Sequence, residues 1–186
     1  MNNHIEENTL NSKPKHIPIS KTQILAEIAI FTALGTVLSI IAVIHLPNGG
    51  SITLGSMVPM LWLAMRRGPK VGIFAGVVYG FVQLAILPQV FYPTQVLLDY
   101  PLAFGCLGLA GLFKKRPIIG VTFAVMGRFF MHVISGAIFF AEFAPAGMSP
   151  WVYSIIYNGS YMLPELGISV IVICLLYKTN VLKVYM

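Results

Sequence analysis

Residues 94–116 read TQVLLDYPLAFGCLGLAGLFKKR, in which twenty residues with a single charged side chain are followed at once by three basic ones. A helix rises about 1.5 Å per residue, so a segment of this length crosses the roughly 30 Å hydrocarbon core of a bilayer. The same pattern, an apolar segment next to a basic connector, occurs elsewhere in the chain. It predicts an integral membrane protein.

The composition of the whole chain supports a membrane protein and argues against other classes. Of the 186 residues, 57% are hydrophobic and 10% are charged, whereas a soluble domain carries about 25% charged residues. The net charge of +6 does not indicate nucleic-acid binding, because apart from Arg128 the basic residues lie between or at the ends of apolar segments. Cys106 and Cys174 lie within apolar segments and lack metal-ligand spacing, so neither a disulfide nor a metal site is predicted.

The apolar segments predict six transmembrane helices in one membrane domain, residues 21–178. The predicted helices span residues 21–45, 53–66, 70–87, 94–113, 118–143 and 151–177. The second and third are short for a full crossing. Residues 1–20 are predicted to be a flexible polar tail, and residues 179–186 a second tail.

The distribution of basic residues predicts the orientation. The connectors at residues 66–70 and 114–117 are basic, and lysines flank both ends of the membrane domain, whereas the other three connectors contain no Lys or Arg. By the positive-inside rule, both termini and both basic connectors are cytoplasmic. The predicted fold is therefore an all-α integral membrane protein with six transmembrane helices.

Three charged residues lie inside predicted helices, where a charge costs about 2.5–3.5 kcal/mol on insertion scales. Asp99 has nothing in its own helix to neutralise it, and is either a counter-ion for a cationic ligand or a structural hydrogen-bonding group near the interface. Arg128 and Glu165 fall at similar depths on neighbouring helices. This matching depth favours an internal structural ion pair over a ligand contact.

Two polar and aromatic stripes follow the helical period in the last two helices. The fifth helix carries Arg128, His132, Gly136 and Phe140, and the sixth carries Tyr153, Tyr157, Tyr161 and Glu165, with Asn158 beside them. Such stripes are usually packing surfaces. Several of these groups, however, share the outer half of the membrane with Asp99. A carboxylate, an imidazole, an amide and aromatic faces at one depth predict a pocket for a flat cationic heteroaromatic ligand.

At this point the chain resembles the thiamine-specific substrate-binding subunits of energy-coupling-factor (ECF) transporters. The resemblance covers about residues 21–178. The segments that carry it are residues 26–33 (AEIAIFTA), 48–52 (NGGSI), 66–68 (RRG), 95–104 (QVLLDYPLAF), 129–136 (FFMHVISG) and 153–160 (YSIIYNGS). The runs at 95–104 and 153–160 are the most specific of these.

The resemblance implies a vitamin site near the outer surface, closed by the loop between the first two helices. In that family an acidic residue before a tyrosine faces the thiazolium, and Asp99 and Tyr100 occupy these positions. Six further positions match family residues around the vitamin: His132, Gly136, Tyr153 and Asn158, with Tyr79 and Phe140 at positions often filled by Trp. Of these, His132 and Asn158 are expected to hydrogen-bond the aminopyrimidine.

The resemblance also implies partners. The sequence contains no phosphate-binding Gly-x-x-x-x-Gly-Lys motif, and in the family ATP is bound by two ABC ATPases that join a transmembrane coupling subunit. Ala29 and Ala33 resemble the docking motif for that subunit, although internal packing is the alternative. No cofactor or metal is expected beyond thiamine as the transported ligand.

Three alternatives remain open at this level. The ligand could be a thiamine precursor or a related cation, and the chain could be a self-sufficient channel or carrier. An intramembrane enzyme is disfavoured because Ser135 is too close in sequence to His132 to form an obvious catalytic dyad.

Overall fold

A computed structural model describes residues 20–179. The two predicted tails lie outside the described residues, except for Ser20 and Thr179. The elements, in chain order, are α1 (Lys21–Ile40), β1 (Ala42–His45), β2 (Ser51–Thr53), α2 (Val58–Arg67), α3 (Pro69–Ile86), α4 (Pro93–Phe113), α5 (Pro117–Phe139) and α6 (Pro150–Lys178). The predicted helical architecture is confirmed, with one short sheet in addition.

Five of the helices are long and apolar enough to cross a membrane: α1, α3, α4, α5 and α6. They expose large apolar side chains, such as Ile30 on α1 and Leu163 on α6, which are 65% and 66% exposed. In water such surfaces would be costly, whereas lipid tails accept them. Helix α2 has only ten residues and is therefore about 15 Å long, half of the hydrocarbon core.

The first loop corrects two predicted helix boundaries. The first helix ends at Ile40 and not at residue 45, and the second begins at Val58 and not at residue 53. Between them β1 and β2 form an antiparallel hairpin that pairs Ile44 with Ile52 and His45 with Ser51. The β-branched residues Val43 and Ile44 favour a strand, and the hairpin pairs backbone groups that lipid would leave unsatisfied.

The predicted end of the fifth helix is also wrong. Helix α5 stops at Phe139, four residues before the predicted boundary, and residues Ala141–Phe143 form a separate 3-10 turn. The other predicted boundaries agree with the structure to within one residue.

Helix α4 is irregular at the residues of greatest interest. It contains a π-helical turn at Leu98–Leu102 and a 3-10 stretch at Cys106–Phe113. The π turn includes Pro101, which has no backbone N–H to donate to the preceding turn. Such widened turns commonly mark functional positions, and this one carries Asp99 and Tyr100.

Glycines let α3 lie directly against α4. A Cβ atom at Gly76 would lie 2.3 Å from the carbonyl oxygen of Phe104, and one at Gly80 would lie 2.6 Å from that of Tyr100. Small residues permit such approaches between membrane helices. The backbone of α4 is therefore held against α3 next to Asp99.

Gly80→Ala is expected to lower stability by about 1–3 kcal/mol, because the added methyl group meets backbone and not a movable side chain. Thermal unfolding in detergent measures the effect. Gly159→Ala is the matched control, since a Cβ atom at Gly159 has no neighbour within 4 Å. An equal melting temperature for Gly80→Ala and Gly159→Ala would contradict the packing described here.

Candidate functional site

One cavity of about 420 Å³ opens among α3, α4, α5, α6 and the β1–β2 hairpin. A volume of this size is typical of small-molecule sites. The eight residues predicted as a ligand site all line it: Tyr79, Asp99, Tyr100, His132, Gly136, Phe140, Tyr153 and Asn158. Their common location is a structural finding, while their contact with a ligand stays a prediction.

Asp99 is one of two acidic residues that line this cavity, with Glu165. Its side chain is 16% exposed. Its Oδ2 accepts hydrogen bonds from Gln95 Nε2 at 2.7 Å and from Ser135 Oγ at 2.8 Å, and its Oδ1 lies 2.9 Å from His132 Nδ1. Gln95 is in the same helix, so Asp99 has a hydrogen-bonding partner there, though not a neutralising one. The carboxylate is held in place by neighbours on two helices and faces a cavity.

His132 lies between Asp99 and Arg128. Its Nε2 is 3.2 Å from Nε of Arg128, and because a guanidinium only donates, Nε2 is the acceptor. The proton of a neutral imidazole is then on Nδ1, which donates to Asp99. In this arrangement the imidazole orients the carboxylate and leaves its negative charge in place.

The predicted ion pair between Arg128 and Glu165 is not formed. Both residues line the cavity, but the Arg–carboxylate ion pairs among residues 20–179 join Glu27 to Arg66 and Arg67. The guanidinium of Arg128 lies 4.0 Å above the ring of Phe104, and Glu165 accepts hydrogen bonds from the backbone N–H and, at 2.7 Å, from Oγ1 of Thr53. The similar depths predicted for Arg128 and Glu165 therefore do not bring their side chains into contact.

Several predicted ligand residues have structural contacts of their own. Tyr79 is fully buried and donates to the carbonyl of Gly35 at 3.0 Å. The hydroxyl of Tyr100 accepts from the Gln89 backbone at 2.7 Å and donates to the Leu87 carbonyl at 2.9 Å. These two tyrosines hold the walls of the cavity.

Gly136 and Asn158 set the contact between α5 and α6. A Cβ atom at Gly136 would lie 2.3 Å from Ser154 Oγ, so glycine is needed for the close approach itself. The amide nitrogen of Asn158 donates to the Ser154 carbonyl at 2.9 Å, and its oxygen accepts from the Tyr161 hydroxyl at 2.7 Å. The oxygen retains one lone pair for a ligand.

Aromatic rings surround the outer part of the cavity. Phe140 packs edge-to-face on Phe91 with ring centroids 5.1 Å apart, and Tyr153 stacks on Tyr157 at 6.0 Å. Ring faces near a carboxylate attract cations through their quadrupoles. The arrangement suits a planar cation.

Sequence reasoning missed two direct partners of Asp99. Gln95 precedes Asp99 by four residues and follows the helical spacing rule, so it could have been found. Ser135 was considered only as a nucleophile, yet it donates to Asp99. Ser135 follows His132 by three residues, so helical spacing places both on one face of α5. This spacing could have identified Ser135 as a second partner of Asp99.

Comparison with known proteins decides the family. The model of the family described as "Thiamine transporter protein (Thia_YuaJ)" matches residues 25–184. The chain belongs to this family. Its members are transporters and not enzymes, and the protein is a multi-pass protein of the cell membrane.

Individual relatives agree with this assignment. A protein named thiamine transporter ThiT from Bacillus subtilis is 40% identical over 175 residues, covering 83% of this chain and 90% of the relative. The protein of the same name from Lacticaseibacillus paracasei is 31% identical over 171 residues, covering 81% and 84%. A solved structure of ThiT from Listeria monocytogenes superposes with a TM-score of 0.77 at 30% identity, covering 84% of this chain and 94% of that one.

In this member of the thiamine transporter family, the hairpin covers the cavity and is fastened to α6. The backbone N–H of Gly50 donates to the Tyr157 hydroxyl at 3.0 Å, and that hydroxyl donates to the Pro47 carbonyl. A Cβ atom at Gly50 would lie 2.8 Å from the ring of Tyr161. The expected closing loop is thus in contact with the helix that carries Tyr153 and Asn158.

The predicted docking residues lie on the outside of this transporter-family fold. Ala29 and Ala33 are exposed on α1, whereas the adjacent Ile28 and Thr32 are buried. Internal packing, the alternative, therefore does not explain them. Their role in docking stays a prediction.

Proposed function

We propose that this chain is the thiamine-binding subunit of an ECF-type importer, which captures thiamine at the outer face of the membrane for uptake powered by partner subunits. Three kinds of support converge: membership of the thiamine transporter family, the names of relatives that are 31–40% identical, and a cavity whose chemistry suits a planar cation.

The observation that carries this proposal is the placement of Asp99. Its carboxylate lies on the cavity and not against lipid, and its neighbours Gln95, Ser135 and His132 supply hydrogen bonds without a formal opposite charge at contact. An ionised carboxylate in such surroundings gains most from a cation. The thiazolium of thiamine carries that charge within a flat ring.

The aromatic residues and the amide complete the recognition of thiamine. Phe140 and Tyr153 enclose the ring system, and Tyr79 and Tyr100 form the wall behind it. Asn158 supplies the free hydrogen-bonding oxygen for the aminopyrimidine. His132, whose two ring nitrogens are bonded to Asp99 and Arg128, hydrogen-bonds the same ring once the ligand displaces one of these partners. A thiamine precursor with the same heterocycle is the second candidate ligand, since the same side chains would contact it.

Partner subunits supply the energy that couples thiamine binding to uptake. The chain has no Walker-type phosphate loop, so ATP is bound by two ABC ATPases, which act through a transmembrane coupling subunit docked on Ala29 and Ala33. Helix α2 together with the hairpin supplies the sixth crossing, and both termini are cytoplasmic, as the basic connectors require.

Calorimetric titration of the purified protein tests the binding proposal. Thiamine is expected to bind with one site per chain, whereas choline, a cation without an aromatic ring, is expected to show no measurable binding at the same concentrations. Absence of thiamine binding, or equal affinity for choline, would contradict the proposal.

Reconstitution separates the proposed subunit from a self-sufficient carrier. Liposomes that contain this chain alone are expected to accumulate no more labelled thiamine than empty liposomes. Uptake by the chain alone would favour the carrier instead.

A further inference from the structure

The two basic connectors of the chain meet at one end of the helix bundle. The connector between α4 and α5 contacts the connector between α2 and α3, because Nζ of Lys114 donates to the carbonyl of Arg66 at 3.4 Å. A Cβ atom at Gly111 would lie 2.6 Å from the backbone nitrogen of Pro69, so the end of α4 also packs on the start of α3. Connectors that are far apart in sequence therefore form one cationic surface.

Most of the positive charge on this surface is not neutralised within residues 20–179. The two arginines at the end of α2, Arg66 and Arg67, are paired with Glu27. The other basic side chains of the two connectors are exposed and form no ion pair with a residue that the structure describes. We call these four residues the basic patch: Lys70, Lys114, Lys115 and Arg116. Like charges on adjoining connectors repel one another, and a bound anion would relieve this repulsion.

Two helix ends add to the positive charge of the basic patch. Helix α3 begins at Pro69 and α5 at Pro117, and neither has a side-chain cap or an acidic residue in its first turn. Helix α1, in contrast, is capped by Ser20. The amino end of a helix carries a partial positive charge, so a cation placed there is unfavourable. An anion at the patch would interact favourably with both the side chains and the helix ends.

Exposed apolar side chains border the basic patch and indicate what kind of anion it binds. Leu112, which precedes the patch, is 56% exposed, and Ile118 and Ile119, which follow it, are 53% and 45% exposed. They belong to α4 and α5, two helices that are apolar enough to cross the membrane. An anionic lipid fits both parts of this surface, since its phosphate meets the cations and its acyl chains meet the apolar side chains. A free phosphate would use only the cations.

We propose that the basic patch binds the phosphodiester headgroup of an anionic phospholipid, whose acyl chains lie along the apolar side chains of α4 and α5. In the proposed orientation this lipid belongs to the inner leaflet. The inference goes beyond the proposed function and does not depend on which ligand fills the cavity, since none of the four cations lines it. The positive-inside rule is satisfied by any loop rich in Lys and Arg, whereas headgroup binding depends on where these cations lie.

Native mass spectrometry of the full-length protein in an uncharged detergent tests the choice of lipid. The protein is titrated with phosphatidylglycerol or with phosphatidylcholine that carries the same acyl chains, so that a difference reports the headgroup. Each cation near an anionic lipid contributes about fivefold, and phosphatidylglycerol is therefore expected to bind at least about tenfold more tightly. Equal affinity for the two lipids overturns the proposal and would favour an acidic protein surface as the partner.

Glycerol 3-phosphate distinguishes a lipid from a soluble anion, because it offers the phosphate without acyl chains. It is expected to show no measurable binding at the concentrations at which phosphatidylglycerol binds. Binding as tight as that of phosphatidylglycerol would mean that the apolar border contributes nothing, and it would contradict the assignment to a lipid.

The double variant Lys115→Gln/Arg116→Gln tests the position of the site. It is expected to lose at least about tenfold of the preference for phosphatidylglycerol. Its melting temperature without added lipid is expected to match that of the wild-type protein, since both side chains are exposed and form no ion pair with a described residue. A variant that is folded and retains the full preference would place the lipid elsewhere and overturn the proposal.

Lys15→Gln/Lys21→Gln is the matched control, because it removes two cations that precede or begin α1 and lie outside both connectors. It is expected to keep the wild-type preference for phosphatidylglycerol. An equal loss of preference in the two double variants would show an effect of net charge and contradict a local headgroup site.

Discussion

Asp99→Asn is expected to weaken thiamine binding about 30-fold or more, while the protein remains folded. Removing one member of a desolvated charge pair costs about 2–5 kcal/mol, because the remaining charge loses its partner in a low-dielectric site. The asparagine oxygen can accept from two of the three donors, for example Gln95 and Ser135, while the amide nitrogen then faces the Nδ1–H of His132 and one hydrogen bond is lost. Calorimetric titration of both proteins at one ionic strength measures the change.

Asp99→Glu separates charge from geometry. This variant keeps the negative charge on a side chain one methylene longer, and it is expected to lose less affinity than Asp99→Asn. A matching melting temperature for both variants would show that neither difference is due to unfolding. If the two variants bind thiamine equally, then the charge of Asp99 is not what the ligand recognises.

Ala33→Trp is expected to reduce thiamine uptake by cells to background without changing thiamine affinity by more than about twofold. Ala33 lies on the exposed face of α1 and does not line the cavity. A large side chain there would prevent a second helix from approaching closely, since close packing of membrane helices depends on small residues. Uptake in cells and titration of the purified variant are the two measurements.

Ala85→Trp is the matched control for this experiment. Ala85 is also an exposed alanine, but it lies near the end of α3. Its replacement is expected to leave uptake near the wild-type rate. Normal uptake by Ala33→Trp would place the docking surface elsewhere, and loss of affinity in that variant would show that the substitution acts on the cavity.

The helices were predictable because their composition determines them. The five spanning helices come from apolar segments of 18 to 29 residues, bounded by prolines and basic connectors, which leave few alternatives in a membrane. The hairpin at residues 42–53 was not predictable in the same way. Residues 42–45 continue the apolar composition of α1, and a short apolar run does not distinguish a helix end from a strand.

The location of the candidate site could be predicted from helical spacing, but its internal contacts could not. Spacing places His132, Gly136 and Phe140 on one face of the predicted fifth helix, and the structure brings them to the cavity with Asp99. Rotation of neighbouring helices about their axes is set by packing, which a single sequence does not reveal. That rotation explains why Arg128 contacts Phe104 and His132 and not Glu165.

Glu165 is a second residue whose interaction partner the sequence did not predict. Its partner Thr53 ends a hairpin whose strand residues 42–45 and Thr53 itself were predicted as helix. Once that loop is assigned wrongly, a buried carboxylate seems to need a basic partner. The pairing with Arg128 was predicted from matching depth alone, and the assignment of Thr53 to a helix hid the partner that Glu165 has in the structure.

The most direct test of recognition by charge compares thiamine with a neutral isostere in which a thiophene ring replaces the thiazolium. The affinities of the wild-type protein and of Asp99→Asn for both ligands form a thermodynamic cycle. If Asp99 recognises the charge, the wild-type protein prefers thiamine by about 30-fold or more, and the variant loses nearly all of that preference. If Asp99→Asn retains the full preference, or the wild-type protein has none, the counter-ion role of Asp99 is contradicted.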